Sequence, residues 1–195
     1  MEKITQDRWN QAQKAELDVH ALSTNIEEAN RFLNFYFDFF EDSILDISGK
    51  KILEVGCGPY PLATFAGASE VVGVEPLYHS FTDEIKNYWE ENNVTAFTEP
   101  FENWDSDQKF DEVWFINFLQ HTIDPELCLE KSKNVAKKVR VFEPINTEIN
   151  ECHPHSLTVD LFKKHFPNTD IKLYVGGTIT IFHLADCCYF IANNE

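Results

Sequence analysis

The sequence predicts an α/β protein with a doubly wound, mostly parallel sheet, on three observations. Apolar runs and helical segments alternate five times between residues 51 and 143, which is typical of a parallel sheet with helices on both faces. The first run, Lys51–Val55, leads into two glycines with G-x-G spacing, Gly56 and Gly58. Residues 5–47 contain neither Gly nor Pro, so a helical N-terminal extension is expected before the sheet.

The composition limits the size, partners and compartment of the protein. A chain of 195 residues, 43% hydrophobic, is expected to form one domain, 1–195. Its net charge of -17 repels phosphate, so neither nucleic acid nor an anionic membrane surface is expected as a partner. Five cysteines without a C-x-x-C motif indicate a reduced, cytoplasmic protein. Without an apolar leader or a membrane-length run, secretion and membrane spanning are not expected.

Two helices are predicted ahead of the sheet. The first begins near Asp7 and runs to about His20, and the second follows a capping segment at 23–25. Apolar side chains recur along the second helix at helical spacing, which predicts that they pack on the body of the protein or cover a pocket. These residues are Phe32, Leu33, Phe35, Tyr36, Phe39, Phe40, Ile44 and Leu45. Segment 1–48 is therefore expected to form a helical cap.

The remaining elements follow from hydrophobic patterning and from turn residues. The predicted strands are 51–55, 70–76, 94–97, 110–117, 139–143, 171–175 and 187–192, and the predicted helices are 61–68, 80–92, 125–136 and 157–166. We expect the part from 49 to 145 to bind a cofactor and the part from 146 to 195 to lie on the substrate side.

The residues that end the strands mark the predicted ligand site, because ligands of open parallel sheets bind at the carboxyl ends of strands. Gly56 and Gly58 would let a ligand lie against the backbone. Glu75, which ends the second strand, can accept hydrogen bonds from both hydroxyls of a ribose. Glu54, just before the glycines, favours a ligand with positive charge or hydrogen-bond donors over a pyrophosphate.

Together, the motif Ile52-Leu53-Glu54-Val55-Gly56-Cys57-Gly58-Pro59, the acid at Glu75 and the segment 110–125 resemble class I S-adenosylmethionine-dependent methyltransferases, especially the small-molecule branch. The resemblance implies a Rossmann-like seven-stranded sheet whose last strand is antiparallel and inserted between strands five and six. It also implies that S-adenosyl-L-methionine is the cofactor and that a methyl group is transferred to an O or N atom of a small molecule.

The resemblance further implies roles for individual residues. Glu54 would organise the cationic methionine end, and Glu75 would hold the ribose. Leu77 could pack on the adenine, whose edge Glu99 or Phe101 would border. The full set of residues expected to bind the cofactor is Glu54, Gly56, Cys57, Gly58, Tyr60, Glu75, Leu77, Glu99, Phe101 and Asn117.

The glycine turn departs from the family pattern at one position and leaves two alternatives. Tyr60, between Pro59 and Pro61, replaces the third glycine that the family often has. The alternatives are a non-catalytic protein that retains the fold and a nicotinamide-dependent oxidoreductase. The oxidoreductase is less favoured because its fingerprint requires glycine at position 61.

Candidate catalytic residues are histidines near the predicted acceptor site. An oxygen or nitrogen acceptor can need a base, and histidine titrates near working pH. Asn117 would lie beneath the reacting centre, His121 follows the fourth strand, and His153 and His155 follow the fifth. Each histidine also has a structural interpretation, as a capping or loop residue. Cys152, His153 and His155 are too close in sequence to form a zinc site by themselves, so no metal is expected.

The acceptor itself is expected between the N-terminal helices and the loop after the fifth strand. Trp9 and Tyr36 on the helices and the loop 146–156 are the predicted contacts. The sequence is compatible with both a monomer and a homodimer.

Overall fold

A computed structural model of the chain describes residues 1–23, 25–40, 47–180 and 183–194. One seven-stranded sheet has the order β3-β2-β1-β4-β5-β7-β6. Strand β7 is antiparallel to β5 and β6, and the other neighbouring pairs are parallel. The strands are β1 (Lys51–Val55), β2 (Glu70–Val74), β3 (Val94–Phe97), β4 (Phe110–Ile116), β5 (Ala136–Ile145), β6 (Lys172–Thr180) and β7 (His183–Asn193). This confirms the predicted sheet and the position of its antiparallel last strand.

Helices precede the sheet and connect its strands. They are α1 (Gln6–Ser23), α2 (Ile26–Phe40), α3 (Leu62–Phe65), α4 (Asp83–Glu91), α5 (Pro125–Val135) and α6 (Val159–His165), with short 3-10 helices at Tyr78–Ser80 and Leu119–His121. Helix α3 is shorter than predicted because the chain turns into a left-handed residue at Gly67, with φ +77°. No helix among the described residues is long and apolar enough to cross a membrane.

Helix α2 packs its apolar face on the sheet, as its spacing predicts. Leu33 and Phe37 lie in one buried cluster with Ile52 and Trp114. Tyr36 packs edge-to-face on Phe142, with ring centroids 4.9 Å apart. The predicted stripe residues Ile44 and Leu45 fall outside the described residues.

Helix α1 and the residues just before it form hydrogen bonds with the loops after β4 and β5. The amide of Ile4 donates to the carbonyl of Ile123 at 3.0 Å. The Arg8 guanidinium donates to the carbonyl of Glu151 at 2.9 Å and also to that of Asn150. These contacts place the side chains of α1 at the carboxyl edge of the sheet.

A buried ion pair connects β4 and β5 under helix α2. The Glu112 carboxylate accepts from Arg140 Nε at 3.0 Å and from Lys50 Nζ at 2.9 Å, and both Glu112 and Arg140 are 1% exposed. Although burial alone would raise the pKa of Glu112, Arg140 and Lys50 hold it below its usual range. The guanidinium carbon lies 4.7 Å from the ring centroid of Phe40 and 5.2 Å from that of Phe37. The Glu112–Arg140 pair therefore joins β4 to β5, and the Arg140 guanidinium also contacts the aromatic rings of helix α2.

A second buried carboxylate, Glu143 on β5, holds the chain that follows β4. Its Oε1 accepts from the amides of Phe118 and Leu119, both at 2.9 Å. Its Oε2 is buried without a hydrogen-bond partner among the described residues. Burial raises the pKa of Glu143 to about 8, although the two amides oppose this rise.

Arg140→Ala is expected to reduce the free energy of unfolding by about 3–5 kcal/mol, because it leaves a buried carboxylate with a single cation. Lys137→Ala is the matched control on the same strand: Lys137 is 76% exposed and pairs with Asp111, so its loss should cost less than about 1 kcal/mol. Urea unfolding followed by circular dichroism measures both changes. Equal losses in the two variants would contradict the importance of the buried pair.

Glu143→Gln is expected to weaken the pH dependence of stability. Between the unfolded pKa, roughly 4.3, and the folded pKa, about 8, the folded state holds a proton that the unfolded state has released. The free energy of unfolding of the wild type therefore falls as pH rises through this window, by up to about 1.4 kcal/mol per pH unit from this group. Urea unfolding across the window should show a smaller fall for Glu143→Gln, whereas the exposed-site control Glu91→Gln should follow the wild type. Parallel curves for Glu143→Gln and the wild type would refute the assignment.

Candidate functional site

A cleft opens at the carboxyl ends of β1, β2 and β4 and is bordered by α1 and α2. Trp9 and Tyr36, predicted to contact the acceptor, both line it. All the residues predicted to bind the cofactor line it as well, with the exception of Glu99. Those that do are Glu54, Gly56, Cys57, Gly58, Tyr60, Glu75, Leu77, Phe101 and Asn117.

The glycine turn has a geometry that requires glycine. Gly56 has φ +63°, and a Cβ built there would lie 2.1 Å from the ring of Phe118. Gly58 has φ +61°, and its amide donates to Glu75 Oε2 at 2.9 Å. Because both glycines have a left-handed backbone and no side chain, their main-chain atoms form the surface of the cleft.

Glu54, near the end of β1, holds the residues that follow this turn. Its two oxygens accept from the amides of Leu62 and Ala63 at 2.9 and 2.8 Å, which are the first amides of α3. Burial raises the pKa of Glu54 to about 7, against the effect of these two amides. The Glu54 side chain is 3% exposed. Its carboxylate caps the N-terminus of α3 and also forms part of the cleft wall.

Glu75, just after β2, connects two turns at the base of the cleft. It accepts from the amides of Gly58 and Leu77, each at 2.9 Å, and burial raises its pKa. A carboxylate offers about four lone-pair positions, so two amides leave acceptor capacity for a vicinal diol. In the loop predicted to border an adenine, Phe101 lines the cleft, whereas Glu99 turns to the amide of Thr98 at 3.2 Å.

Asn117 ends β4 in a left-handed conformation, with φ +56°. Its amide donates to the carbonyl of Phe142 at 2.8 Å, and its Oδ1 accepts from Gln120 Nε2 at 2.9 Å. Asparagine is one of the few residues other than glycine that tolerate this region. The turn directs the following 3-10 helix, and with it His121, to the cleft.

Two of the three candidate histidines come together. His121 and His153 have ring centroids 4.8 Å apart, and His121 lines the cleft. His155 lies apart from them: it is 3% exposed, its Nε2 is 3.0 Å from the carbonyl oxygen of Thr122, and burial lowers its pKa. This placement favours the structural interpretation of His155.

Helix α1 contributes an acid that the sequence analysis did not identify. Glu16 lines the cleft, and its Oε1 is 3.4 Å from His121 Nδ1. The sequence around Glu16 contains no motif, and Asp18 two positions later is an acid of the same kind, so no local pattern distinguishes Glu16 from its neighbours on the helix.

The cleft is strongly acidic. Glu102 joins the other carboxylates at its wall, where its Oε1 accepts from the amides of Ile123 and Asp124 at 2.7 and 3.0 Å. Among the described residues that line the cleft, no Lys or Arg occurs. The carboxylates are Glu16, Glu54, Glu75 and Glu102. Such a wall attracts cations and repels phosphate.

Sequence comparisons match curated enzymes over part of their length. The chain is 27% identical over 135 residues to tRNA U34 carboxymethyltransferase of Alteromonas mediterranea, covering 64% of this chain and 40% of that protein. It is 30% identical over 117 residues to the enzyme of the same name from Colwellia psychrerythraea, covering 57% and 35% respectively. The chain thus spans 40% or less of the length of these two relatives. No known family profile matches the sequence.

These relatives correct one prediction. Their name specifies tRNA as the substrate, so the expectation of a small-molecule acceptor with no nucleic-acid partner is wrong. The exclusion of nucleic acid rested on net charge, which describes the whole surface and not the residues around a reacting base, and the small-molecule acceptor rested on the family resemblance.

Solved structures share the fold at low sequence identity. Magnesium protoporphyrin IX methyltransferase from Synechocystis with bound S-adenosylhomocysteine has a TM-score of 0.61 at 15% identity, with 97% of this chain and 94% of that chain covered. The N-methyltransferase NodS from Bradyrhizobium japonicum gives 0.60 at 9% identity, with 87% and 95% covered. The [4+2]-cyclase SpnF gives 0.56 at 15% identity, with 78% and 62% covered. The chain therefore has the fold of the class I S-adenosylmethionine-dependent methyltransferases.

Proposed function

We propose that the chain is an S-adenosyl-L-methionine-dependent methyltransferase that uses this cleft. The observation that carries the proposal is an acidic cleft built on a glycine turn, with no Lys or Arg among the described lining residues. S-adenosylmethionine carries a sulfonium and an ammonium, and four carboxylates suit such a cation. The pyrophosphate of a nicotinamide cofactor would meet the same carboxylates unfavourably.

The residues around the cleft suit the parts of this cofactor. Glu54 would lie at its cationic methionine end, Gly56 and Gly58 would let it approach the backbone, and Glu75 would accept from the ribose hydroxyls. Phe101 and Leu77 supply apolar surface for an adenine. The cofactor brings the methyl group and its leaving group. The protein's part is to align the acceptor and exclude water.

The transferred group is a plain methyl in this proposal, although the relatives are carboxymethyltransferases by name. A carboxymethyl group would bring one more negative charge close to Glu16, Glu54 and Glu75. The described lining residues offer no Lys or Arg to pair with that charge. Burying an unpaired carboxylate is costly, so the charge of the cleft favours methyl.

For the acceptor we propose a base of tRNA, following the relatives. Trp9 and Phe32 line the cleft with Tyr36 on the helical cap, and aromatic faces of this kind stack on unpaired bases. The polar end of the cleft, formed by Glu16 and His121, would take the acceptor's proton. In this proposal residues 49–145 bind the cofactor, while 1–48 and 146–195 hold the acceptor.

Glu75→Gln is expected to weaken binding of S-adenosylhomocysteine by about 10–100-fold, because hydrogen bonds to a charged group contribute about 1.5–3 kcal/mol. Isothermal titration measures the affinity, and NADH should give no heat of binding. Glu70→Gln is the matched control, since Glu70 lies at the opposite end of β2 and is exposed. Unchanged affinity in Glu75→Gln, or saturable binding of NADH, would overturn the cofactor assignment.

Incubation with methyl-labelled S-adenosylmethionine is expected to label unmodified tRNA, with free uridine as the comparison acceptor. His121→Ala should reduce the label transferred to tRNA while S-adenosylhomocysteine still binds. No label in tRNA from a protein that binds S-adenosylhomocysteine would overturn the acceptor but keep the cofactor. The exposed-site variant His79→Ala should label tRNA like the wild type.

A further inference from the structure

The chain that follows β4 is held at its backbone by one buried side chain on β5. Strand β4 ends at Ile116, whereas β5 continues to Ile145, so the amides just after β4 leave the hydrogen-bond ladder of the sheet and need other acceptors. Glu143 Oε1 accepts two of them, from Phe118 and Leu119, each at 2.9 Å. Glu143 is 0% exposed, so water does not take part in these bonds.

The two residues that Glu143 holds support the acceptor end of the cleft through their carbonyl groups. The His121 amide donates to the Phe118 carbonyl at 2.9 Å. The Thr122 hydroxyl donates to the Leu119 carbonyl, also at 2.9 Å. His121 and Thr122 both line the cleft. A single residue therefore separates the buried carboxyl group from each of these two cleft residues.

The ring of Phe118 has separate support on the cofactor side of the cleft. It stacks on Phe115, with ring centroids 5.7 Å apart. It also lies so close to Gly56 that a Cβ built on that glycine would be 2.1 Å from the ring. Apolar packing therefore places this ring beside the glycine turn, and the hydrogen bonds to Glu143 set the direction in which the backbone continues to His121.

Glu143 acts on the cleft from behind its wall. It is not among the described residues that line the cleft, and its Oε2 has no hydrogen-bond partner in the part of the chain that the structure describes. Burying a carboxyl group costs free energy, and burial raises the pKa of Glu143 to about 8. Because the side chain does not reach the cleft, it can affect a reaction there only through the backbone that it holds.

We propose that Glu143 is a positioning residue of the methyl-transfer site, which fixes the backbone of residues 118–119 and thereby sets where His121 and Thr122 meet the acceptor. The inference deepens the proposed function and rests on it for the reaction. Displacing a reacting group by about 1 Å can cost roughly 100-fold in rate. Loss of the acceptor oxygen of Glu143 should therefore slow turnover while both ligands still bind, because the glycine turn and the aromatic residues of the cap stay in place.

Glu143→Leu and Glu143→Gln test this inference through methyl transfer to tRNA. Leucine removes the acceptor oxygen, whereas glutamine keeps a carbonyl oxygen that can accept both amides. We expect kcat to fall by about 10–100-fold in Glu143→Leu and to stay within about threefold of the wild type in Glu143→Gln. The KM for tRNA and the Kd for S-adenosylhomocysteine should stay within about threefold of the wild type in both variants.

Val139→Ala is the control for a loss of stability without a loss of positioning. Val139 is buried in the first half of the same strand, in the apolar core. Urea unfolding measures the stability of each variant, and rates are compared where circular dichroism shows each variant folded. Val139→Ala should transfer methyl groups like the wild type. An equal fall in kcat in Val139→Ala and Glu143→Leu, or a Glu143→Gln variant as slow as Glu143→Leu, would overturn the inference.

Nuclear magnetic resonance of the wild type tests the same contact even if Glu143→Leu does not fold. The signals of the two amide protons that Glu143 accepts should shift together with its carboxyl carbon signal as Glu143 titrates, and Glu143→Gln should abolish these shifts. The other titratable groups that face Glu143 are Tyr36 on α2 and Cys187 and Cys188 on β7, and burial raises the pKa of all three well above this window. Amide signals that stay in place while the carboxyl carbon titrates would refute the contact.

The two measurements separate this inference from the proposed function. A wild type that shows the amide shifts but labels no tRNA refutes the methyltransferase, while the contact of Glu143 with the backbone behind the cleft stands. A wild type that labels tRNA no faster than a folded Glu143→Leu variant refutes the positioning role alone.

Discussion

The edge of the sheet depends on one repeated interaction, a glutamate carboxylate that accepts two backbone amides from the turn or turns beside it. Each such carboxylate fixes a loop whose amides would otherwise lack partners in a water-poor site. The glutamates that accept two amides are Glu54, Glu75, Glu102 and Glu143. The first three line the cleft and make it acidic, whereas burial raises the pKa of Glu143 to about 8. Loop geometry and ligand preference therefore have the same physical origin.

This arrangement has an electrostatic cost that a cationic ligand would relieve. Burial raises the pKa of Glu54 and of Glu75 even though each accepts two amide hydrogens. The amides lower the cost without removing it, because they are dipoles and not charges. A sulfonium or ammonium group close by would stabilise the charged forms. The affinity of the cleft for cations is thus coupled to the packing of its own loops.

The sheet and the glycine turn could be predicted because their signals are local. Alternating strands, G-x-G and a strand-ending acid each lie within a few residues, and the structure places Gly58 and Glu75 in direct contact. Glu99 and Phe101 were both predicted at the cleft; Phe101 lines it, whereas Glu99 accepts from the amide of Thr98, since a loop's register is set by tertiary packing. Glu16 could not be predicted, because its position depends on how α1 docks. His153 and His155 are two residues apart, and only the contact of His155 with Thr122 shows which of them turns away.

The predicted absence of a nucleic-acid partner failed because net charge is a property of the entire surface. Phosphate contacts supply most non-specific affinity for nucleic acids, but recognition of a single base depends on stacking and on a few polar groups. The cleft offers that second kind of contact, with Trp9, Phe32 and Tyr36 beside the polar pair Glu16 and His121. A chain with a charge of -17 gains little from phosphate. If it acts on tRNA, the base must carry most of the recognition. Raising the salt concentration should then weaken the interaction far less than it does for a basic tRNA-binding protein.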